Sequence, residues 1–266
     1  MLETAQRANV KFDAVSRVYS SRQKGLEDVV AIERADLRIE SGEFVCVLGP
    51  SGCGKSTLLN MVAGLDLPTS GTVRFNGELV DGVNTDVGYM PQESKLFPWL
   101  TVRGNIEFPL TLRDVPTEQR RQIVDEYIAK VGLAGFDEAY PHQLSGGMQK
   151  RASLARTLVY APSLLLMDEP FGALDSQTRM LMHEEVLNLW TEVKSTVIFV
   201  THDLTEAITL ADKIVVMTRR PSTVAEVIDV PLTRPRDVYA IFEQDGFQEI
   251  YDELIAIVRE EMNVNG

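Results

Sequence analysis

One stretch constrains the fold of this chain more than any other. Residues 49–57 read GPSGCGKST, directly after the apolar, strand-like run EFVCVL and before a run with helical character. Glycines allow successive backbone N–H groups to face an anion without interference from Cβ atoms. The spacing G-x-x-x-x-G-K-[ST] between a strand and a helix is typical of a loop that binds nucleotide phosphates. We therefore expect an α/β nucleotide-binding domain with a phosphate loop formed by Gly49, Pro50, Ser51, Gly52, Cys53, Gly54, Lys55, Ser56 and Thr57.

Two carboxylates are expected at the same edge of the sheet as this loop. The apolar run LLLM ends in Asp168 and Glu169, and ligands of open α/β sheets bind beyond the carboxyl ends of the strands. We assign Asp168 and the Ser56 hydroxyl to Mg²⁺, and Glu169 to the attacking water. Pro170 favours an extended backbone at Glu169, which would make the two side chains diverge. His202 ends the strand-like run VIFVTH and is expected near the γ-phosphate, so these residues predict a nucleoside-triphosphate hydrolase.

Length, charge and hydropathy exclude several classes of protein. The chain has 266 residues and a formal net charge of −13, from 39 acidic and 26 basic side chains. This balance argues against nucleic acid or an anionic membrane surface as the main partner, because both bind basic faces. No apolar run approaches the ~18 residues of a membrane span, and the first residues lack a charged-then-apolar leader. We expect a cytoplasmic chain with reduced cysteines and with Cys46 in the core.

Changes of pattern along the chain predict an α/β core interrupted by a helical insert. Alternating strand-like stretches precede the phosphate loop, and SGTVRFNGELV predicts a hairpin that turns at Asn76-Gly77. After residue 160, the runs SLLLMDE, STVIFVTH and DKIVVMT alternate with a helical pattern, which indicates a parallel sheet covered on both faces. We assign the core of a single domain, residues 1–266, to residues 1–92 and 160–246.

The insert, residues 93–159, has a different character. ESKLFPWLTVRGNIEFPL reads as irregular and apolar, and TEQRRQIVDEYIAKVGL as an amphipathic helix capped by Thr117. The stretch LSGGMQKR, residues 144–151, opens a further helix, and the adjacent N–H groups at its start form a second potential anion site. The tail, residues 247–266, places apolar side chains at helical spacing, and we expect it to pack as a closing helix on its own domain.

Taken together, the motifs resemble those of a known family. The chain is similar, along nearly its whole length, to the nucleotide-binding subunits of ATP-binding-cassette (ABC) transporters. The resemblance implies an α/β fold with a P-loop NTPase (RecA-like) core, an N-terminal antiparallel β subdomain and an inserted α-helical subdomain. It also implies ATP and Mg²⁺ as cofactors. The motifs that carry it are the phosphate loop, YMPQ at 89–92, LSGGMQKR at 144–151, LLLMDEP at 164–170, GALD at 172–175 and TH at 201–202.

The resemblance implies a role for individual residues. Tyr19 would stack on adenine, and Gln92 would sense Mg²⁺ and the γ-phosphate. The residues implied in hydrolysis are Lys55, Gln92, Glu169 and His202, and those implied at the metal are Ser56, Gln92 and Asp168. In this family two copies meet head to tail, and each ATP lies between the phosphate loop of one copy and the LSGG signature of the other. The residues implied to act in trans are Ser145, Gly146, Gly147 and Asp175.

Other segments resemble one subfamily. LFPWLTV, YPHQLSGGM and RPSTVAEVIDVPLTRPRD are most similar to the ATPases of nitrate, sulfonate and taurine importers. This resemblance implies an ATPase subunit on the inner face of the plasma membrane that powers import of a small anion-type solute. Its partners would be a second copy, a polytopic permease seated in a groove near Phe97 and Trp99, and indirectly a solute-binding protein. The alternative is a soluble cassette ATPase, such as an iron–sulfur cluster assembly factor, which gives no reason for the apolar groove.

Overall fold

The computed structural model describes residues 8–20 and 27–263. Within them lie ten strands: β1 Val10–Tyr19, β2 Val29–Ile39, β3 Phe44–Leu48, β4 Ser70–Phe75, β5 Glu78–Leu79, β6 Val87–Met90, β7 Leu164–Asp168, β8 Thr196–Thr201, β9 Lys213–Met217 and β10 Ser222–Asp229. The same residues contain seven α-helices: α1 Lys55–Val62, α2 Val102–Thr111, α3 Thr117–Lys130, α4 Gly146–Leu158, α5 Ser176–Val193, α6 Leu204–Leu210 and α7 Phe247–Asn263.

The strands form one sheet with a parallel and an antiparallel part. Their order is β5-β4-β1-β2-β10-β9-β3-β8-β7-β6. The strand β3 is parallel to its neighbours β8 and β9, and β7 is parallel to β6 and β8. By contrast, β1 is antiparallel to β2 and β4, as the family resemblance implied. The mixed α/β architecture expected from the sequence is therefore confirmed.

The parallel strands are buried on both faces. All five residues of β3 are buried, and they divide between two apolar clusters. Phe44 and Cys46 belong to the cluster under the helices α2–α6, whereas Val45 and Val47 belong to the cluster shared with α1 and the N-terminal strands. Strands covered on both faces read as continuous apolar runs, which explains why EFVCVL and LLLM show no alternation.

The helices of the insert pack on the same core as the sheet. Buried side chains of α2, α3 and α4, among them Ile106, Val124 and Leu154, belong to the apolar cluster that contains Phe44. The helix α2 lies in a stretch that the sequence pattern marked as irregular. Thr101 caps this helix by accepting a hydrogen bond from the Gly104 N–H, at 3.2 Å. Because Gly104 and Pro109 interrupt its apolar pattern, the pattern alone does not indicate a helix there.

Two further expectations concern helix ends. The predicted cap at Thr117 is wrong, since Pro116 occupies the cap position and Thr117 is the first helical residue. The C-terminal helix α7 packs on its own domain as predicted, and it buries Phe247, Ile250 and Leu254. None of the helices in the described part of the chain combines the length and the apolar character needed to cross a membrane.

Candidate active site

The motifs singled out from the sequence lie at one edge of the parallel sheet. The phosphate loop follows β3, the Asp168-Glu169 pair ends β7, and His202 follows β8. Gln92 lies two residues after β6, the next strand along. Since these four strands are parallel neighbours, their carboxyl ends meet at the same edge. The fold itself therefore brings together residues that are more than 100 positions apart in the chain.

Lys55 is held inside the loop from which it comes. Its ammonium group donates hydrogen bonds to the Gly49 carbonyl, at 2.8 Å, and to the Pro50 carbonyl, at 3.1 Å. The side chain is buried, and its Nζ lies 3.6 Å from Glu169 Oε1. Only glycine fits at position 49, because a Cβ there would lie 2.9 Å from Cys53 Sγ and 3.0 Å from the Met217 carbonyl oxygen. The contacts of the Lys55 ammonium with the loop carbonyls place it where it can bind an anion held by the loop.

Cys53 turns its side chain away from the loop's anion-binding side. The thiol is buried in the apolar cluster that includes Met217, and burial raises its pKa. Its backbone N–H donates to the Pro50 carbonyl, at 3.3 Å. Any contribution of Cys53 to binding phosphate must therefore come from its backbone.

Two of the residues assigned to Mg²⁺, Ser56 and Asp168, lie in contact. Ser56 Oγ donates to Asp168 Oδ1 at 3.0 Å. Burial raises the pKa of Asp168, and the hydrogen bond from Ser56 opposes that shift. Within residues 8–20 and 27–263, no group of three or more His, Cys, Asp and Glu side chains could hold a metal. A hydroxyl and one carboxylate fit Mg²⁺, which commonly takes few protein ligands and completes its shell with phosphate oxygens and water.

The Glu169 carboxylate lies between the side chains of Lys55 and His202. Its Oε2 lies 3.3 Å from His202 Nδ1, and its Oε1 faces Lys55. The expectation of an extended backbone at Glu169 is wrong, since its φ is +42°, in the left-handed region. The Glu169 N–H donates to the Val200 carbonyl at 3.0 Å, and this bond to the neighbouring strand holds the residue in a conformation that non-glycine residues rarely adopt. Such strain is typical of functional positions.

A cavity of about 360 Å³ is lined by Lys55, Ser56, Asp168 and Glu169 but not by His202, and we call it the nucleotide cavity. Gln92 is a further residue of its lining. Tyr19 also lines it, with its hydroxyl donating to Asp66 Oδ2 at 2.6 Å and the Arg17 guanidinium 4.5 Å from its ring centroid. The full lining is Tyr19, Ala31, Ser51, Gly52, Gly54, Lys55, Ser56, Thr57, Gln92, Asp168, Glu169 and Arg220.

Ala31 and Arg220 are lining residues that the sequence analysis missed. No local motif marks either of them. They reach the cavity because β10 pairs with β2, a contact between segments almost 200 residues apart. Three residues of the phosphate loop do not line the cavity, namely Gly49, Pro50 and Cys53.

The signature lies elsewhere on the chain. Ser145 caps α4 by accepting a hydrogen bond from the Met148 N–H, at 3.3 Å, and Asp175 caps α5 through the Thr178 N–H, at 3.1 Å. A Cβ on Gly147 would lie 2.8 Å from Thr178 Cγ2, so the starts of the two helices touch. The residues predicted to act in trans, namely Ser145, Gly146, Gly147 and Asp175, are not among those that line the nucleotide cavity in the described chain.

The signature helix holds the segment that follows Gln92. Lys150 donates a short hydrogen bond to the Gln92 carbonyl, and burial lowers the pKa of this lysine. Ser153 Oγ donates to the Ser94 carbonyl at 3.2 Å, and Arg156 donates to the carbonyls of Ser94 and Lys95 at 3.2 and 2.9 Å. No sequence motif predicts this contact, although positions 150, 153 and 156 share one face of a helix.

Comparisons with known proteins agree with this geometry. A family model described as ABC transporter matches residues 32–172. The nitrate import ATP-binding protein NrtD of Synechocystis sp. is 43% identical over 87% of this chain and 89% of its own length. The aliphatic sulfonates import ATP-binding protein SsuB of Bacillus cereus is 42% identical over 91% of this chain and 92% of its own.

A solved structure of similar fold is that of a dimeric ATP-binding cassette, MJ0796, in a post-hydrolysis state bound to ADP and Pi. It aligns with a TM-score of 0.74 and 33% identity, and the match covers 83% of this chain and 98% of that one. The fold, the grouping of the motifs at one sheet edge and these relatives lead to one conclusion: the chain belongs to the ABC transporter family, as an ATP-binding protein that hydrolyses ATP.

Proposed function

We propose that two copies of this chain hydrolyse ATP at composite sites, each between the phosphate loop of one copy and the signature of the other. One observation carries this proposal. The nucleotide cavity collects Lys55, Asp168 and Glu169, whereas the signature of the same chain does not line it. The positive N-terminal ends of helices bind anions. The start of α4 does not line the nucleotide cavity of its own chain, so it is available to the nucleotide of a second copy. The dimeric state of the similar cassette supports the same arrangement.

Within such a site each side chain has a distinct task. Lys55 and the N–H groups of the phosphate loop bind the β- and γ-phosphates, and Ser56 and Asp168 hold Mg²⁺ with Gln92 nearby. When bound, Mg²⁺ neutralises charge that develops on the phosphates. Glu169 orients the attacking water and accepts its proton, while His202 contacts both Glu169 and the γ-phosphate. Tyr19 stacks on adenine at the other end of the cavity, and Ser145, Gly146, Gly147 and Asp175 complete the site from the second copy.

We further propose that hydrolysis powers the import of a small anion across the plasma membrane. The names of the relatives NrtD and SsuB support an importer rather than a soluble assembly factor. The chain would bind a polytopic permease at the inner face of the membrane, and a solute-binding protein would deliver the cargo to that permease.

A groove on the insert supports the permease partner. We call it the aromatic groove, and its lining includes Phe97, Phe108, Leu112, Arg113 and Tyr160. Leu112 is 67% exposed there, and Trp99, whose ring centroid lies 5.4 Å from that of Phe97, is 70% exposed. Exposed apolar side chains grouped in this way mark a surface that binds another protein. A short amphipathic helix with an apolar face fits such a groove.

The test is a pull-down from detergent-solubilised membranes, with partners identified by mass spectrometry. We expect the tagged native chain to recover a polytopic permease in equal amount, encoded together with a solute-binding protein. Leu112→Glu places a charge in the aromatic groove and should reduce recovery at least about tenfold. Leu79→Glu is the matched control, since Leu79 is also exposed but lies on the edge strand β5. Recovery of soluble partners alone would contradict the importer and favour the assembly factor.

A further inference from the structure

Arg220 occupies a wall of the nucleotide cavity and has no assigned role. Its side chain is exposed, and within residues 8–20 and 27–263 it makes no hydrogen bond or ion pair. Arg17 and Arg34, in contrast, form ion pairs with Asp66 and Asp36. Arg220 therefore offers an unpaired guanidinium beside an anion-binding loop.

The loop that carries Arg220 is fixed beside the phosphate loop. Thr218 N donates to the Thr223 carbonyl at 3.0 Å, and Thr223 N donates to Thr218 Oγ1 at 2.9 Å, so the loop is closed at its base. Ser222 is fully buried, and its Oγ donates to the Ala31 carbonyl at 2.9 Å. A Cβ on Gly54 would lie 3.2 Å from that same carbonyl oxygen. The position of Arg220 relative to the phosphate loop is therefore set by packing and hydrogen bonds.

Strand register locates Arg220 along the cavity. In the parallel pair β10·β2, Ser222, two residues after Arg220, lies opposite Ile32. In the pair β1·β2, Tyr19 lies opposite Val29. Because β1 and β10 flank β2 in the sheet, Tyr19 and the loop that carries Arg220 lie on opposite sides of β2, and both line the nucleotide cavity. Asp168 and Glu169, the acidic residues of the cavity lining, lie instead at the end of β7 in the parallel part of the sheet.

We propose that Arg220 binds the phosphates nearest the ribose, the part of the nucleotide that ATP and ADP share. This inference rests on the proposed nucleotide site. A guanidinium presents several N–H donors in a planar fork that matches phosphate oxygens, and it keeps its charge at all physiological pH values. Arg220 would act on binding and would take no part in the cleavage of the terminal phosphate.

The experiment measures dissociation constants for ATP and ADP, together with kcat and KM for ATP, in three variants. Arg220→Ala should weaken the binding of both nucleotides about tenfold. For ATP hydrolysis this weakening should appear as a higher KM, and kcat should change by less than about twofold. Arg220→Lys keeps the charge and should recover most of the affinity. Arg219→Ala is the matched control, because Arg219 is an exposed neighbour outside the cavity lining whose carbonyl accepts the Thr218 hydroxyl. Raising the ionic strength should reduce the difference in nucleotide affinity between Arg220→Ala and the native protein.

Several results would overturn the assignment. Native affinity in Arg220→Ala would show that the side chain does not touch nucleotide, and equal losses in both alanine variants would reduce the effect to overall charge. A loss confined to ATP would place the contact at the γ-phosphate and contradict the proposal. Loss of kcat with an unchanged KM would also contradict it. A native protein that bound neither nucleotide would contradict the proposed function itself, and the role of Arg220 with it.

Discussion

Among single residues, Glu169 combines the strongest constraints in the site. Its backbone is left-handed, its N–H is bonded to β8, and its two carboxylate oxygens face different groups, Lys55 and His202. The neighbouring Asp168 bonds to Ser56 instead. Adjacent carboxylates therefore have separate partners, which is what one metal ligand and one base require.

We expect Glu169→Gln to bind ATP and to hydrolyse it about 10²- to 10⁴-fold more slowly, because the amide keeps the size of the side chain but cannot accept the proton of water. With ATP and Mg²⁺ present, this variant should accumulate as a dimer in size-exclusion chromatography. Glu192→Gln, which removes a similar charge from an exposed ion pair with Lys130, serves as the control and should behave as the native protein. Elution of Glu169→Gln as a monomer at saturating ATP would contradict the proposed role.

The residues that could be predicted are those placed by contiguous motifs. Asp168 ends an apolar strand, His202 directly follows another, and Lys55 ends the loop that follows a third. Because parallel neighbours end at one edge of the sheet, the meeting of these residues could be inferred. Arg220 and Ala31 could not, because their approach depends on which distant strands pair. The conformation of Glu169 was predicted wrongly, since the local preference set by Pro170 is overridden by the hydrogen bond to Val200.

Among the elements, α4 connects the two halves of the proposed chemistry. Its start carries the signature, and its middle holds the backbone of residues 92–95 through Lys150, Ser153 and Arg156. A movement of the signature relative to the core would therefore displace the backbone of Gln92. Since Gln92 lines the nucleotide cavity of its own chain and the signature is proposed to serve the second copy, this helix would link the two composite sites.

Lys150→Met tests this connection. Burial of the ammonium costs about what its hydrogen bond returns, so the free energy of unfolding should change by less than about 1 kcal/mol. The kcat for ATP should nevertheless fall about tenfold or more with little change in KM, because Gln92 loses an anchor and small displacements of positioning groups are costly. Lys130→Met makes the same change at an exposed ion pair and should leave kcat within about twofold. Equal kcat in the two variants would contradict a positioning role for Lys150.

Most helices and strands could be predicted because their hydrophobic periodicity and the turn residues that bound them indicate the same structure. The hairpin at Asn76-Gly77 has positive φ at both turn residues, as that dipeptide favours. The helix α2 was missed because its Gly104 and Pro109 argue against a helix, and only packing against α4 and the Thr101 cap outweigh them. Local propensity is a weak guide wherever tertiary contacts decide.

At the scale of the whole molecule, the chain presents two half-sites that do not meet. The phosphate loop and the two carboxylates share one cavity, and the signature stands at the start of a helix outside it. In the dimer that we propose, a twofold axis would place each half-site against its complement. The same dimer would present two aromatic grooves to the proposed membrane partner.

The measurement that tests this account most directly is ATPase complementation between two inactive variants. Lys55→Ala disables the phosphate loop and Ser145→Arg the signature, so each variant alone should be inactive. Random mixing makes half of the dimers mixed, each with one intact site, and should restore about a quarter of native activity. A mixture of Lys55→Ala with Glu169→Gln, which damage the same half-site, should remain inactive. If the first mixture were as inactive as its components, the composite site would be wrong.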